Sequence, residues 1–298
     1  MVSWHFRDLV TFKNFERTWN YFIGEFLFEA EAEPDVPGRS NAWSESPLDT
    51  VEKYPDDIDT TSMALLLLGP DNGYDSERIN EILDEVLENT SADGIIMVRN
   101  RLFVKLSREV LNEAYSRQIY FDHTRPRVDP AVCINALRSF YRYYRGDSPA
   151  LQATKKWISD VLFYRAYLDG TLYYPTGDVF LYLFSRLLAE NPESEMHRRT
   201  ASLLRERLKE QVGSDGDALA LAMRILACQF MGVPNEIDVK RLQTKQTQDG
   251  GWEIGWLCHT GKTGIKIGNR GLTTALSVKA IELFRKNGQG YATQLDVA

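Results

Sequence analysis

The chain repeatedly places an Asp or Thr directly ahead of a segment whose apolar residues run almost all the way round a helix. Such segments start near Asp59 (Thr-Thr-Ser-Met-Ala-Leu-Leu-Leu-Leu), Asp129 (Pro-Ala-Val-Cys-Ile-Asn-Ala-Leu), Asp178 (Val-Phe-Leu-Tyr-Leu-Phe), Asp217 (Ala-Leu-Ala-Leu-Ala-Met) and Thr273 (Thr-Ala-Leu-Ser-Val). An Asp or Thr in that place satisfies the free amides of a first helical turn. A helix apolar on every side must be surrounded by other elements. Between these segments lie helices with one polar face, at Glu77 to Glu88, Leu151 to Tyr167 and Glu193 to Gln211. An amphipathic helix covers a buried one from outside, so the alternation predicts an all-α fold, an α/α toroid (barrel) of inner and outer helices. Alternating β-branched runs of strand type are scarce. The Gly- and Pro-rich stretches Pro34 to Pro55, Gly69 to Asp75 and Gly250 to Gly271 are expected to be loops at the rim. An irregular bundle or open solenoid is the simpler alternative.

At 298 residues the chain is expected to form a single domain, 1–298. Its net charge of -7 and pI near 5.3 give no general attraction for nucleic acid or anionic lipid, so an anionic ligand needs a local basic cluster. Cys133, Cys228 and Cys258 are widely spaced beside apolar residues, which predicts reduced thiols rather than a disulfide framework. The segment Met1-Val2-Ser3-Trp4-His5-Phe6 is interrupted by Arg7 and Asp8, and the apolar run at Met63 to Leu68 is too short to span a bilayer. A cytoplasmic protein without stable membrane insertion is expected.

The string Pro55-Asp56-Asp57-Ile58-Asp59-Thr60-Thr61 places carboxylates at the start of a buried helix. If that helix begins near Thr60, capping alone accounts for them. The string also resembles the acid motif of class II terpene cyclases, Asp-x-Asp-Asp-Thr-Ala, and more closely the Asp-x-Asp-Thr-Thr variant of drimane-type sesquiterpene cyclases. That resemblance implies a terpene cyclase β-type domain in which Asp59 is the general acid, Asp57 is its hydrogen-bonding partner, and Thr60 replaces the third Asp. An alkene is a very weak base, so its protonation needs a positioned neutral carboxylic acid. Two close carboxylates in an apolar site cannot both ionise cheaply, and one keeps its proton. The metal-binding Asp-Asp-x-x-Asp of class I synthases is a poorer match, because Thr60 stands at its last position.

Downstream, Gln248-Asp249-Gly250-Gly251-Trp252 resembles the Gln-Trp repeat of squalene-hopene cyclases, where Gln and Trp tie one helix to the next across a tight glycine turn. Trp252 is read as structural first and as a substrate-binding candidate second. The following loop, Gly261 to Thr274, carries Lys262, Lys266 and Arg270 among glycines that let backbone amides approach an anion. It lacks Walker A spacing. It is the local basic cluster sought above and a candidate diphosphate clamp, or else an ordinary loop with solvated lysines. Arg125 and Arg127 are second-rank candidates. Tyr173 and Tyr174, just ahead of an expected inner helix, are candidates to line a cavity in which aromatic faces stabilise carbocations.

The resemblance implies protonation-initiated cyclisation of a linear prenyl diphosphate, farnesyl diphosphate first among them, to a drimane-type bicyclic diphosphate. It implies no organic cofactor, no dedicated metal ligands, and at most a Mg²⁺ that neutralises the diphosphate. The Asp-x-Asp-Gly-Thr nucleophile of haloacid-dehalogenase-like phosphatases is absent from the sequence, so a separate or fused phosphatase would act on the product. Alternatives are a glycoside-processing α/α barrel, with further acids across its cavity, and a catalytically silent toroid that binds other proteins. A zinc-dependent prenyltransferase subunit is a poorer fit, since Cys258-His259 lacks the remaining ligand spacing.

Overall fold

The computed structural model describes residues 11–14, 19–22, 29–31, 58–70, 76–98, 127–259 and 266–295. Its contacts divide into two compact units, one of residues 1–26 and 34–157, the other of residues 27–33 and 158–298.

In the first unit, β1 (Thr11–Asn14) and β2 (Trp19–Phe22) pair as an antiparallel hairpin, with Thr11 opposite Phe22 and Asn14 opposite Trp19. Helix α1 (Ile58–Leu68) packs on β2 and on α3 (Pro130–Arg142). Helix α2 (Ser76–Glu88) buries Ile79, Ile82, Leu83 and Val86, the helical spacing expected of a covering helix. A 3₁₀ turn (Pro149–Leu151) leads into α4 (Gln152–Phe163). The start of α3 combines two local devices. Pro130 occupies the first turn, and the Asp129 carboxylate accepts from Ala131 N at 2.8 Å and Val132 N at 3.1 Å. The segment 89–98 straps the starts of α1 and α3 together, because Ile58 N–H donates to the Val98 carbonyl and Val98 N–H to that of Arg127.

In the second unit, α5 (Gly177–Glu190), α6 (Glu195–Gln211), α8 (Glu236–Thr244), α9 (Arg270–Leu295) and strand β4 (Trp256–His259) all contact α7 (Ala218–Met231). Every residue of α7 from Ala218 to Cys228 is buried, as expected for an inner helix. Its N-cap, Asp217, accepts from Ala220 N with one oxygen and from Trp256 N with the other, so the cap also fixes β4. Gly232 ends the helix in the left-handed region, at φ 66°. A buried cluster of charges lies inside this unit. Arg224, 1% exposed, donates to Asp178 on α5 at 2.8 and 3.0 Å and to the Ser214 carbonyl at 2.7 Å, and lies 3.5 Å from Asp238 on α8. The two carboxylates and the guanidinium thereby join three helices and the turn before α7.

The all-α expectation holds for the bulk of the described residues, with differences at the edges. The stretch expected to be a loop, Gly250 to Gly271, holds β4 and β5 (Lys266–Gly268). These form a three-stranded antiparallel sheet with β3 (Glu29–Glu31), in the order β3-β5-β4. No local pattern announces strands of three or four residues whose partner lies far away in sequence. At its end a side chain is excluded, since a Cβ on Gly268 would sit 2.3 Å from the Gly255 carbonyl oxygen. Helix α1 starts at Ile58, not Thr60, so Asp59 lies within its first turn. The N-cap of α5 is Thr176, and Asp178 instead reaches Arg224. Helix α9 starts at Arg270, three residues before Thr273.

All three cysteines are free; Cys133 and Cys228 are buried and Cys258 half-buried. Burial pushes the Cys228 thiol up to about 12, against the weaker opposing effect of its Asn235 partner. The Cys133 thiol is raised by burial first, and then by the negative charge of Asp129. Thiolate is the reactive form. Ellman's reagent at neutral pH is therefore expected to titrate one thiol, Cys258, in the native chain and all three in denaturant; rapid labelling of three in the native chain would contradict this burial.

Candidate active site

Helix α1 combines an apolar body, buried at Ala64 and Leu65 and exposed at Met63 and Leu67, with a polar first turn. Asp59 and Thr60 are half-buried there, while Ile58 and Thr61 beside them are buried. The amides of that turn favour a negative charge, yet the Asp59 carboxyl also reaches across to α3, where its Oδ1 accepts from Asn135 Nδ2 at 2.8 Å. Asn135 is 2% exposed, and its own Oδ1 accepts from Arg138 Nη1 at 3.2 Å. Further along the same seam the Ser139 hydroxyl donates to the Ser62 carbonyl, and the Tyr143 hydroxyl to that of Leu65. Side-chain bonds at successive turns thus fix α1 against α3 in one register. The charges of Asp129 and Asp59 both act on the Cys133 thiol, which itself donates to the Ile96 carbonyl at 3.2 Å. Asp59 therefore sits among buried groups, with a second carboxylate nearby whose oxygen caps α3.

Asp57, expected to be its partner, lies outside the described residues, as do Lys262 and Arg125. Asn135 and Arg138 were not anticipated. Their signal was present, as two polar residues three apart on one face of an otherwise apolar inner helix, but helical spacing does not say which element that face meets.

The remaining candidates belong to the second unit. Trp252 is 1% exposed and its indole N–H donates to the Leu242 carbonyl at 2.8 Å, tying the turn to the end of α8. This is the structural role expected of it. The part expected of Gln248 falls to its neighbours, since Gln248 is exposed while Gln246 donates to the Gly250 carbonyl. Asp249 accepts from Thr247, Gly251 N and Arg270. Those contacts, the Thr247 hydroxyl foremost and then Arg270, hold its carboxyl well below the usual carboxylate range. Arg270, the first residue of α9, is accordingly ion-paired at 2.7 Å within the turn, and Lys266 on β5 is exposed. The Tyr173 carbonyl accepts from His259 N at 2.8 Å, which holds the 171–176 turn against β4, and the buried Tyr174 carbonyl accepts from Thr171 N. Arg127 supplies the carbonyl that receives Val98. Among the described residues no group of three or more His, Cys, Asp or Glu is placed to hold a metal ion, and no helix is long and apolar enough to cross a membrane.

Residues 31–143, which include the acid motif, Asn135 and Arg138, match the family described as the sesquiterpene cyclase astC-like C-terminal domain. This segment is similar to that cyclase domain. Drimenol cyclase drtB from Aspergillus calidoustus is 37% identical over 276 residues, covering 92% of this chain and 43% of that protein. The chain thus spans less than half the length of this curated relative. Among solved structures, a protein from Actinoplanes superposes with a TM-score of 0.56 at 14% identity, covering 78% of this chain and 76% of that one. The type II terpene cyclase MstE from Scytonema superposes with a TM-score of 0.51 at 14% identity, covering 76% and 74%. The fold is accordingly that of the α/α-barrel type II terpene cyclases, and the matched segment contains the α1–α3 pair that carries Asp59.

Proposed function

We propose that the chain catalyses class II cyclisation of a linear prenyl diphosphate, with Asp59 as proton donor and farnesyl diphosphate as substrate. The observation that carries this reading is the Asp59–Asn135 bond. It holds one oxygen of a half-buried carboxyl on a rigid pair of helices inside the astC-like domain, and placing an acid on well-packed elements is what general acid catalysis needs. A drimenol cyclase as a relative supports a drimane skeleton.

In this reading neutral Asp59 gives its proton to the terminal alkene carbon. The resulting tertiary cation is attacked by the next double bond, and that cation by the one after, so two rings close. Loss of a proton from a carbon beside the last cation leaves a neutral bicycle. No atom is gained or lost overall, and the bond from carbon to diphosphate stays intact. Asp129 is engaged in capping α3, and Asp59 is the carboxyl assigned to act, with Asp57 and Thr60 beside it in sequence. Lys262, Lys266 and Arg270 are the cations assigned to the diphosphate, and a Mg²⁺ carried by that group would neutralise it further. Tyr173 and Tyr174 are assigned to the cavity wall. Since the product keeps its diphosphate, a phosphatase, separate or fused, releases the alcohol.

Incubation of the chain with farnesyl or geranylgeranyl diphosphate, then phosphatase treatment and mass analysis, tests the proposal. A bicyclic sesquiterpene alcohol appearing only after phosphatase treatment is the expected result. An alcohol or hydrocarbon formed without phosphatase would contradict retention of the diphosphate, and unchanged farnesol alone would sink the reading.

A further inference from the structure

Among the residues of α3 from Pro130 to Phe140, all of them buried, Arg138 carries a permanent charge at 4% exposure, one turn beyond Asn135. Arg138 Nη1 donates to Asn135 Oδ1, and Asn135 Nδ2 donates to Asp59 Oδ1. A primary amide offers an acceptor at one end and donors at the other. With its oxygen turned to a guanidinium, its NH₂ must face Asp59. The reverse orientation would set carbonyl oxygen against carboxyl oxygen and NH₂ against guanidinium, two like-polarity contacts away from water, each costing what an unmet buried hydrogen bond costs.

We infer that Arg138 is a positioning residue for the acid: through Asn135 it fixes Asp59 Oδ1 as a hydrogen-bond acceptor and so sets the orientation from which the carboxyl delivers its proton. The inference rests on the reading of Asp59 as proton donor and adds to it what holds that carboxyl in place. Because a guanidinium stays charged at every working pH, this orientation does not lapse between turnovers. After transfer, the same donated bond stabilises the carboxylate left behind, and the charge on Arg138 polarises the amide that makes it.

The test uses the full chain with farnesyl diphosphate, comparing Arg138→Met, Arg138→Lys and Asp59→Asn in steady-state kinetics and thermal melts. Infrared difference spectra follow the carboxyl C=O band that disappears in Asp59→Asn. Arg138→Met is expected to lower kcat by about tenfold or more with KM changed less than about twofold, because a misoriented acid costs the chemical step rather than binding. Its Asp59 band is expected to move, since the amide is no longer held in one orientation. Arg138→Lys, which keeps a donor and a charge, is expected to recover part of kcat and move the band less. Wild-type kcat and an unmoved band in a folded Arg138→Met would overturn the inference, as would a folded Lys variant no better than Met. Should the Met variant not fold, Asn135→Ala, which cuts the same relay, decides: a lowered kcat with unchanged KM and a shifted band supports the relay, and wild-type values of both overturn it. Turnover by Asp59→Asn would remove the donor reading itself, an outcome distinct from failure of the Arg138 arm.

Discussion

Asp59→Asn is expected to lower cyclisation of farnesyl diphosphate by about a thousandfold or more, with a melting temperature close to that of the parent chain. A positioned general acid contributes about 10² to 10⁴ in rate. An alkene sits at the demanding end of that range, because no weaker acid in the site can substitute. The fold should tolerate the change. Asn keeps an oxygen that can accept from Asn135 Nδ2, and removing one charge from the first turn of α1 costs only about 0.3–1 kcal/mol. The measurement is single-turnover product formation beside a thermal melt. Product at near-parental rate from a folded Asp59→Asn protein would rule out the assignment. Loss of product together with loss of the folded transition would instead mean that Asp59 serves α1, as its place in the first turn also permits.

The largest stability effect is expected at Arg224. Arg224→Met strands the Asp178 and Asp238 carboxylates, 7% and 0% exposed, without the guanidinium that faces both. Breaking a buried pair by removing one partner costs about 3–5 kcal/mol, a fall in melting temperature on the order of 10 °C for a unit of this size. Replacing all three residues by apolar ones of similar volume should recover much of that loss, because the penalty lies in the unpaired charges rather than in the absence of attraction. A triple variant no more stable than Arg224→Met would contradict this account.

The deficit should also depend on pH. Burial raises the Asp178 carboxyl above its ordinary value even though Arg224 opposes the shift, and without Arg224 it rises further. A carboxyl raised on folding keeps its proton in the native chain after the unfolded chain has released it. Stability is therefore fullest below the unfolded carboxylate range and is lost as pH climbs through the folded value. The deficit of Arg224→Met should be smallest at acid pH and grow as pH rises. A deficit independent of pH would point to lost packing instead.

The five apolar segments of the sequence correspond to helices α1, α3, α5, α7 and α9; α3, α5 and α7 are buried nearly all round, as a helix apolar on all sides requires, whereas α1 exposes Met63 and Leu67 and α9 exposes Val278. Asp129 and Asp217 are legible as caps, since a cap is a local device fixed by the residues that follow it. The same reasoning fails at Asp178, which resembles a cap but reaches Arg224 on another helix. It fails again in the 250–271 stretch, where glycines suggested a loop and a strand from residues 29–31 completes a sheet.

At the candidate site, the acid proposed as donor was picked out by the order Asp57-Ile58-Asp59-Thr60-Thr61, and the match of residues 31–143 to the astC-like domain encloses that string. Its environment was not readable. Asn135 lies 76 residues away from Asp59, and only the packing of α1 on α3 brings them within a hydrogen bond. The basic loop shows the opposite case, because Arg270 is a cation in sequence and half of an ion pair with Asp249 in the fold. Sequence alone determined what is periodic or adjacent: the helical class, the caps, the acid string. Tertiary structure decided which side chains meet, since hydrogen bonds and ion pairs act over about 3–4 Å while their partners are separated along the chain by tens of residues.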